Sequence, residues 1–472
     1  MHGDDGLVIG AMTIDGQAVT LADQIDVLNP ATGGIIGRVP RCGDAELEAA
    51  VASAGRAFRS WRATAVADRR RAIEALAACI DDHLDELSVL LTREHGKPLG
   101  DARNELVTSA NSLRHFAARE VPVSRFTSQN GRAVEVSRKP LGVVAAIAPF
   151  NFPVLLSMWK VGPALITGNT VVLKPSPFTP LTTLRIGELA RAALPPGVLN
   201  ILSGDDALGP ALSGHPHVAK IAFTGSSATG KAVMRGAAED LKRITLELGG
   251  NDPAIILGDV DVDEVAPRIF WGAFANCGQV CVAAKRIYVH DSIYDRFVEV
   301  VKDLARANLP ANGETEGVRL GPVQNHVQYA RVRAMIAQAR AAGLDIWEAP
   351  GDLPPHGYFI APTLALDPPD DAAVVREEPF GPFLPLMRFS EVDEVVARAN
   401  DSEYGLAASV WSGDRALAES VARRLDCGTV WINNVLGIST DIPFAGHKHS
   451  GIGVENGEEG LLEYTAIQAI VG

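Results

Sequence analysis

The sequence predicts an α/β protein whose parallel sheets are covered by helices, and three observations carry that prediction. From residue 141 onward, apolar runs bounded by turns recur at Gly142-Val-Val-Ala-Ala-Ile-Ala, Thr170-Val-Val-Leu, Val198-Leu-Asn-Ile-Leu, Val218-Ala-Lys-Ile-Ala-Phe and Ile255-Ile-Leu. Helical stretches separate several of them, notably Leu181 to Ala193, which is the alternation of a parallel sheet. The chain of 472 residues also exceeds one ordinary core, so two or three domains are expected.

Composition narrows the class. Apolar residues make up 47% and charged residues 21%, the balance of a soluble globular protein. A formal charge of −14 argues against nucleic acid as a partner, because phosphate binding needs clustered Lys and Arg. It leaves room for a nucleotide cofactor held by backbone amides and one lysine. Five cysteines, at 42, 79, 277, 281 and 427, form no evenly spaced framework. The first residues, Met-His-Gly-Asp-Asp-Gly, lack the basic and apolar regions of a secretory signal, so a reducing cytoplasm is expected. The apolar runs Leu141 to Phe150 and Pro153 to Thr167 are broken by Pro149, Lys160 and Pro163 and fall short of a membrane span.

Residues 44–119 read as helical, with Ala, Arg, Leu and Glu recurring near every 3.6 positions. Asp44 is the expected N-cap, followed by Glu46 and Glu48 in an acidic first turn. Arg69 to Arg71 read as a solvated helix face, and Cys79 falls on the apolar face. Residues 121–140 alternate, as in Arg132-Ala-Val-Glu-Val-Ser-Arg, and predict an exposed β-ribbon. A second helix-and-strand block is expected from about 250 to 450, with helices at 291–307 and 391–400 and a strand at Lys285-Arg-Ile-Tyr-Val-His290. Glu378-Pro-Phe-Gly-Pro382 interrupts it as a rigid loop. A short helix near 458–464 precedes a last apolar strand.

The stretch Phe274-Ala-Asn-Cys-Gly-Gln-Val-Cys281 sets a thiol after a polar, glycine-containing turn. Only a thiolate attacks, so such a residue needs a positive environment or a nearby base. Upstream, Glu247 sits in the apolar strand-like run Ile244-Thr-Leu-Glu-Leu248, followed by Gly249-Gly250. Asn151 lies between prolines in Pro149-Phe-Asn-Phe-Pro153, where its amide can donate to an oxyanion. Lys174-Pro-Ser176 follows an apolar strand, as does Phe223-Thr-Gly225-Ser226, whose glycine lets backbone approach a pyrophosphate. The latter is not G-x-G-x-x-G, so its spacing alone is also that of a plain turn.

Phe274, Asn276, Gly278, Gln279 and Cys281 together resemble the active-site cysteine signature of the aldehyde dehydrogenase superfamily. Leu246-Glu-Leu-Gly-Gly250 resembles its general-base motif, and the resemblance runs from about Asn29-Pro30 to Tyr464. It implies a Rossmann-type cofactor domain at 1–120 and 141–248, an α/β catalytic domain at 249–449, and a small β oligomerisation element at 121–140 and 450–472. It implies a homodimer or homotetramer that uses NAD or NADP and no metal. In that reading Cys281 is the nucleophile, Glu247 the base that activates water, and Asn151 with the Cys281 backbone N–H the oxyanion hole. Lys174 and Ser176 fall to the adenosine ribose, Gly225 and Ser226 to the pyrophosphate turn, and Glu378 and Phe380 to the nicotinamide ribose and ring.

The implied reaction is oxidation of an aldehyde to its acid through a thiohemiacetal and a thioester on Cys281. A coenzyme-A-acylating semialdehyde dehydrogenase is the alternative, with retention of Glu247 favouring hydrolysis. Phe152, Leu156 and Trp159, with Val280 and Val282 beside the nucleophile, suggest an apolar tunnel for aliphatic or aromatic aldehydes. Glu455 stands where relatives place an accessory to proton movement. Cys277 lacks a histidine at zinc-ligand spacing, and His447 and His449 read as surface residues. The third residue after Lys174, often Glu in the family, is Pro177 here, so NADP is expected to be accepted alongside NAD.

Overall fold

The computed structural model describes residues 6–472, so the first five residues of the expected first domain lie outside the described residues. Two large sheets organise the chain. The first has eight strands and is built on five parallel ones: Arg243–Glu247, Val218–Thr224, Val143–Ile147, Thr170–Lys174 and Leu199–Ile201, in that spatial order. Antiparallel strands flank these five, Gly451–Ile452 beside Arg243–Glu247 and, at the other side, Met12–Ile14 beside Leu199–Ile201 with Gln17–Val19 outermost. The strand order reverses between Val143–Ile147 and Val218–Thr224, which opens a crevice beyond their carboxyl ends.

The second sheet has seven strands, in the order Asp345–Glu348, Thr363–Leu366, Phe383–Phe389, Ala284–His290, Asp252–Ile256, Ala407–Trp411 and Thr429–Ile432. The run at Ile255 therefore belongs to this sheet and does not extend the first. Apolar periodicity identifies a strand without saying which sheet it joins. The sheets meet so that the carboxyl ends of the first face the loops that precede Ala284–His290 and Phe383–Phe389 in the second. Hydrogen bonds such as Asn151 to Gln279 span that junction.

Four helices, Asp44–Trp61, Val66–Asp82, Leu84–His95 and Leu99–Ala117, cover residues 44–117. Gly43 and not Asp44 is the N-cap of the first, and Glu46 reaches back to accept from the Gly43 amide at 3.0 Å. Arg69 corrects the reading of a solvated face. It is 8% exposed and donates to the carbonyl of Ile166 at 3.0 Å and to that of Thr64, a structural cation and no anion site. Arg70 donates to the Ala117 carbonyl, and Arg71 alone of the three is exposed, paired with Asp68. Cys79 is half-buried. The helix after Thr170–Lys174 ends at Ala190, short of Ala193.

The apolar run at 153–167 becomes the buried helix Pro153–Ile166. Among the described residues no helix is long and apolar enough to cross a membrane. The ribbon Ser124–Thr127 and Ala133–Pro140 pairs antiparallel with the last strand, Thr465–Val471. Gly451–Ile452, inside the expected 450–472 element, instead pairs with the first large sheet.

Candidate active site

The loop that leads to Cys281 is held in an unusual backbone conformation. After the helix Val262–Phe274, residues Asn276, Cys277 and Gly278 all have positive φ, at 52°, 57° and 74°. Asn and Gly adopt that region readily, whereas Cys277 bears a strain of about 1–3 kcal/mol that the surroundings must hold. A side chain at Gly278 would place its Cβ 2.4 Å from the Gly381 carbonyl oxygen, so this loop touches the loop that carries Glu378 and Phe380. Gln279 anchors the turn. Its side chain donates to the Asn276 carbonyl at 3.0 Å and accepts from the Gln324 amide at 2.9 Å. Cys277 is buried in the core around Tyr288 and Val332, and Cys281 borders a different cluster around Leu156 and Trp159. All five cysteines are free thiols.

Asn151 follows the strand Val143–Ile147 at the crevice. Its side-chain amide donates one N–H to the Gln279 carbonyl at 3.0 Å, two residues before Cys281. Its own carbonyl accepts from Asn276 Nδ2 at 3.1 Å and from Lys97 Nζ at 2.9 Å. Lys97 pairs with Glu105 at 2.6 Å, both side chains 1% exposed. Glu105 in turn accepts from the Val154 and Leu155 amides at 2.9 and 3.2 Å, the first turn of helix Pro153–Ile166. A carboxylate there satisfies amides that the helix leaves unpaired. This buried pair, invisible to motif reading, clamps the segment that presents Asn151.

Glu247 ends the strand Arg243–Glu247, opposite Thr224 on the parallel neighbour. It is 4% exposed and neither carboxylate oxygen has a hydrogen-bond partner. Burial first, and the Glu455 charge second, push its carboxyl up to about 8, with Lys160 and the Cys281 thiol pulling the other way. The thiol of Cys281 is pushed well above its usual range by burial and then by Glu247, while Lys285 opposes the shift. Lys160 reaches both Glu455, at 2.5 Å, and Thr224, at 2.7 Å. Glu455 is thus one half of a buried ion pair that acts on Glu247.

Leu156, Trp159, Val280 and Val282 pack in one apolar cluster, with Phe152 and Cys281 at its border. Sequence reading missed its other wall, where Leu406, Trp431, Leu436, Ile438 and Phe444 close over it, the Phe444 ring 6.2 Å from that of Trp159. The apolar residues scattered through the stretch 431–444 were the available signal, but nothing local told which cluster they joined.

Lys174, Ser176, Pro177, Gly225 and Ser226 line one cavity of about 510 Å³ at the crevice, together with Phe150 and Asp206. Burial lowers the Lys174 pKa, and Asp206 and then Asp205 raise it. Ser226 caps the helix Ser227–Ala238, accepting from the Thr229 amide at 3.2 Å. Glu378 and Phe380 lie outside that cavity, nearer Cys281, and the Phe150 ring bridges to Phe380 at 5.8 Å. Lys285 pairs with Glu378 at 2.7 Å, a contact the sequence did not announce. A buried cation, a capped helix start and an aromatic bridge toward the thiol fit a dinucleotide stretched from Lys174 to Cys281. His447 and His449 are surface residues paired with Asp426 and Glu403. Among the described residues no group of three His, Cys, Asp or Glu side chains is placed to hold a metal.

Comparison with known proteins bears on this geometry. The family described as "Aldehyde dehydrogenase family" matches residues 18–470. The chain is 39% identical to the aldehyde dehydrogenase LUC3 of a Fusarium species, over 94% of each chain. It is 38% identical to the succinate-semialdehyde dehydrogenase [NADP(+)] of Escherichia coli strain K12, again over 94% of each. Among solved structures it is similar to an aldehyde dehydrogenase from Bacillus cereus in its NAD+ complex, with TM-score 0.96 and 36% identity, covering 98% of this chain and 96% of that one.

Proposed function

The chain belongs to the aldehyde dehydrogenase family and is an NAD(P)-dependent aldehyde dehydrogenase, and from that premise we propose that it oxidises apolar aliphatic or aromatic aldehydes to their acids. The observation that carries the mechanism is the convergence of Cys281, Glu247 and Asn151. A buried carboxyl with two unpartnered oxygens stands near the thiol, and the oxyanion-hole amide is tied to the same loop.

The Cys281 thiol gives up its proton to solvent and its sulphur bonds to the aldehyde carbon, whose carbonyl π pair moves to the oxygen. The oxygen of the resulting thiohemiacetal takes the second N–H of Asn151 and the Cys281 backbone N–H. A donor of this kind is worth about 3–4 kcal/mol in the barrier. NAD or NADP, when bound, would supply the acceptor for the hydride that leaves the thiohemiacetal carbon as it becomes the thioester. Lys174, Ser176, Gly225 and Ser226 would hold its adenosine and pyrophosphate end, and Glu378 and Phe380 its nicotinamide end. Glu247 then takes a proton from water, which attacks the Cys281 thioester and releases the acid. A base with a pKa near 8 has the strength that step needs.

The apolar cluster of Leu156, Trp159 and Phe444, which Cys281 borders, supports the apolar substrate class. A panel of straight-chain, aromatic and carboxylate-bearing aldehydes, followed by absorbance of the reduced nicotinamide, tests it. Highest kcat/KM is expected with the uncharged members, and preference for a semialdehyde would reject the class. Adding coenzyme A to the same assays should leave the rate unchanged. Acceleration with formation of an acyl thioester would select the acylating reaction instead.

The three-stranded sheet at the chain's end supports assembly into a homodimer or homotetramer. Phe126, Ile467, Ile470 and Val471 on it are all more than half exposed.

A further inference from the structure

Lys285 is the second residue of the strand Ala284–His290 and is only 4% exposed. Its ammonium lies where three separate segments meet. It donates to the backbone carbonyl of Cys281, to that of Gly250 at 3.3 Å, and to Glu378 Oε1 at 2.7 Å. An ammonium has three N–H groups and no acceptor, so each donor is spent on a different segment. The Gly250 amide donates to the same Glu378 oxygen at 3.4 Å, and the Phe380 ring centre lies 5.7 Å from the ammonium. One side chain thus joins the nucleophile, the glycines after the base, and the loop assigned to the nicotinamide end.

Burying an ammonium costs several kcal/mol unless its partners compensate, and a neutral side chain would fill the same space without that cost. The charge also stands in an acidic setting. Glu247, Asp252 and Glu378 all act on Cys281 to disfavour its thiolate, and Lys285 opposes them.

We propose that Lys285 is a positioning residue that presents the Glu378 carboxylate to the nicotinamide-side ribose hydroxyls and holds a positive charge beside the Cys281 thiolate, so that one side chain sets both cofactor placement and nucleophile reactivity. The cofactor half rests on the reading of Glu378 given above.

The test uses the full chain with Lys285→Met, Lys285→Arg and Glu378→Gln, and two readouts that do not depend on turnover. The first is the rate of Cys281 alkylation by iodoacetamide across pH, with Cys281→Ala subtracting the other four thiols. The second is the Kd for NAD measured by calorimetry without aldehyde. In Lys285→Met, alkylation at pH 8 should slow about tenfold or more, its midpoint should move to higher pH, and the Kd should rise about tenfold. Lys285→Arg, which keeps the charge, should restore the alkylation profile to within about threefold of the parent.

A folded Lys285→Met protein with either readout within about twofold of the parent overturns the joint role. If Lys285→Met does not fold, Glu378→Gln decides, because the proposal requires it to weaken NAD binding and to lower the alkylation midpoint together. Unchanged NAD binding in Glu378→Gln would refute the cofactor reading of that loop. Unchanged binding in Lys285→Met alone would refute only the role of Lys285.

Discussion

The ammonium of Lys160 and the carboxylate of Glu455 lie 2.5 Å apart inside the protein, with side chains 0% and 3% exposed. One comes from the helix that follows Asn151 and the other from near the chain's end, and both act on Glu247. The Glu455 charge raises the Glu247 pKa and Lys160 lowers it. Glu247 must be ionised to activate water, so deacylation in the parent should rise with pH through about 8. Glu455→Gln removes the negative charge, so the midpoint of the deacylation profile should move to lower pH. Lys160→Met should move it to higher pH. Single-turnover decay of the acyl-enzyme across pH 6–10 measures both, and a common direction of shift would refute the electrostatic account. Each variant also leaves a buried charge uncompensated, at a cost of about 3–5 kcal/mol, and should lower Tm.

Glu247→Gln should separate the half-reactions, giving a stoichiometric burst of reduced cofactor followed by slow turnover as the thioester persists. Fast deacylation in this variant would name another base, with Glu455 the first to test.

The same substitution has a thermodynamic signature. The Glu247 carboxyl has a pKa of about 8 in the folded protein and an ordinary value near 4.3 in the unfolded chain. Between those values the unfolded state ionises while the folded state stays protonated, so this carboxyl makes the parent progressively less stable as pH rises. The Tm advantage of Glu247→Gln should grow from pH 5 to about pH 8 and then level off. Calorimetry at four pH values reads this directly, and an advantage that shrinks with pH would contradict the raised pKa.

Cys281→Ala should abolish aldehyde oxidation and leave cofactor affinity nearly intact, because the thiol bonds to substrate and not to the nucleotide. Residual oxidation above about one per cent of the parent rate would contradict covalent catalysis.

Cofactor choice turns on charges around Lys174. Pro177 supplies no carboxylate, which favours acceptance of NADP alongside NAD, but Asp206 lines the same cavity and is the largest charge acting on Lys174. Two unit charges ~5 Å apart interact by roughly 3 kcal/mol at an effective dielectric of ~20, less where solvent enters. Pro177→Glu should therefore depress kcat/KM with NADP much more than with NAD, and Asp206→Asn should raise the NADP value selectively. Equal changes with both cofactors would show that the loop backbone, and not charge, had been altered.

The candidate site residues were legible because they stand in short segments. Cys281 stands in a turn of Asn, Gly and Gln that a strained backbone requires. Glu247 interrupts an apolar strand where a mere surface residue is out of place. Asn151 sits between prolines at a strand's end. Local patterning also predicted the parallel strands of the first sheet and the helices of residues 44–117, since apolar spacing is a property of consecutive residues. What pairs with what was decided by folding. The run at Ile255 joined the second sheet, Arg69 turned inward to the carbonyl that ends the helix Pro153–Ile166, and Gly43 took the cap expected of Asp44.

Lys97, Lys160 and Lys285 look in sequence like ordinary solvated cations. Their partners Glu105, Glu455 and Glu378 lie 8, 295 and 93 positions away. Each pair is a clamp only because packing brings its members together and excludes water, which strengthens their attraction and makes either member costly to bury alone. By itself the sequence pointed to the candidate groups, Cys281, Glu247 and Asn151, and to the elements that carry them. Only the tertiary structure decided which buried charges hold those groups in place, because burial is a property of the packed whole and of no single segment.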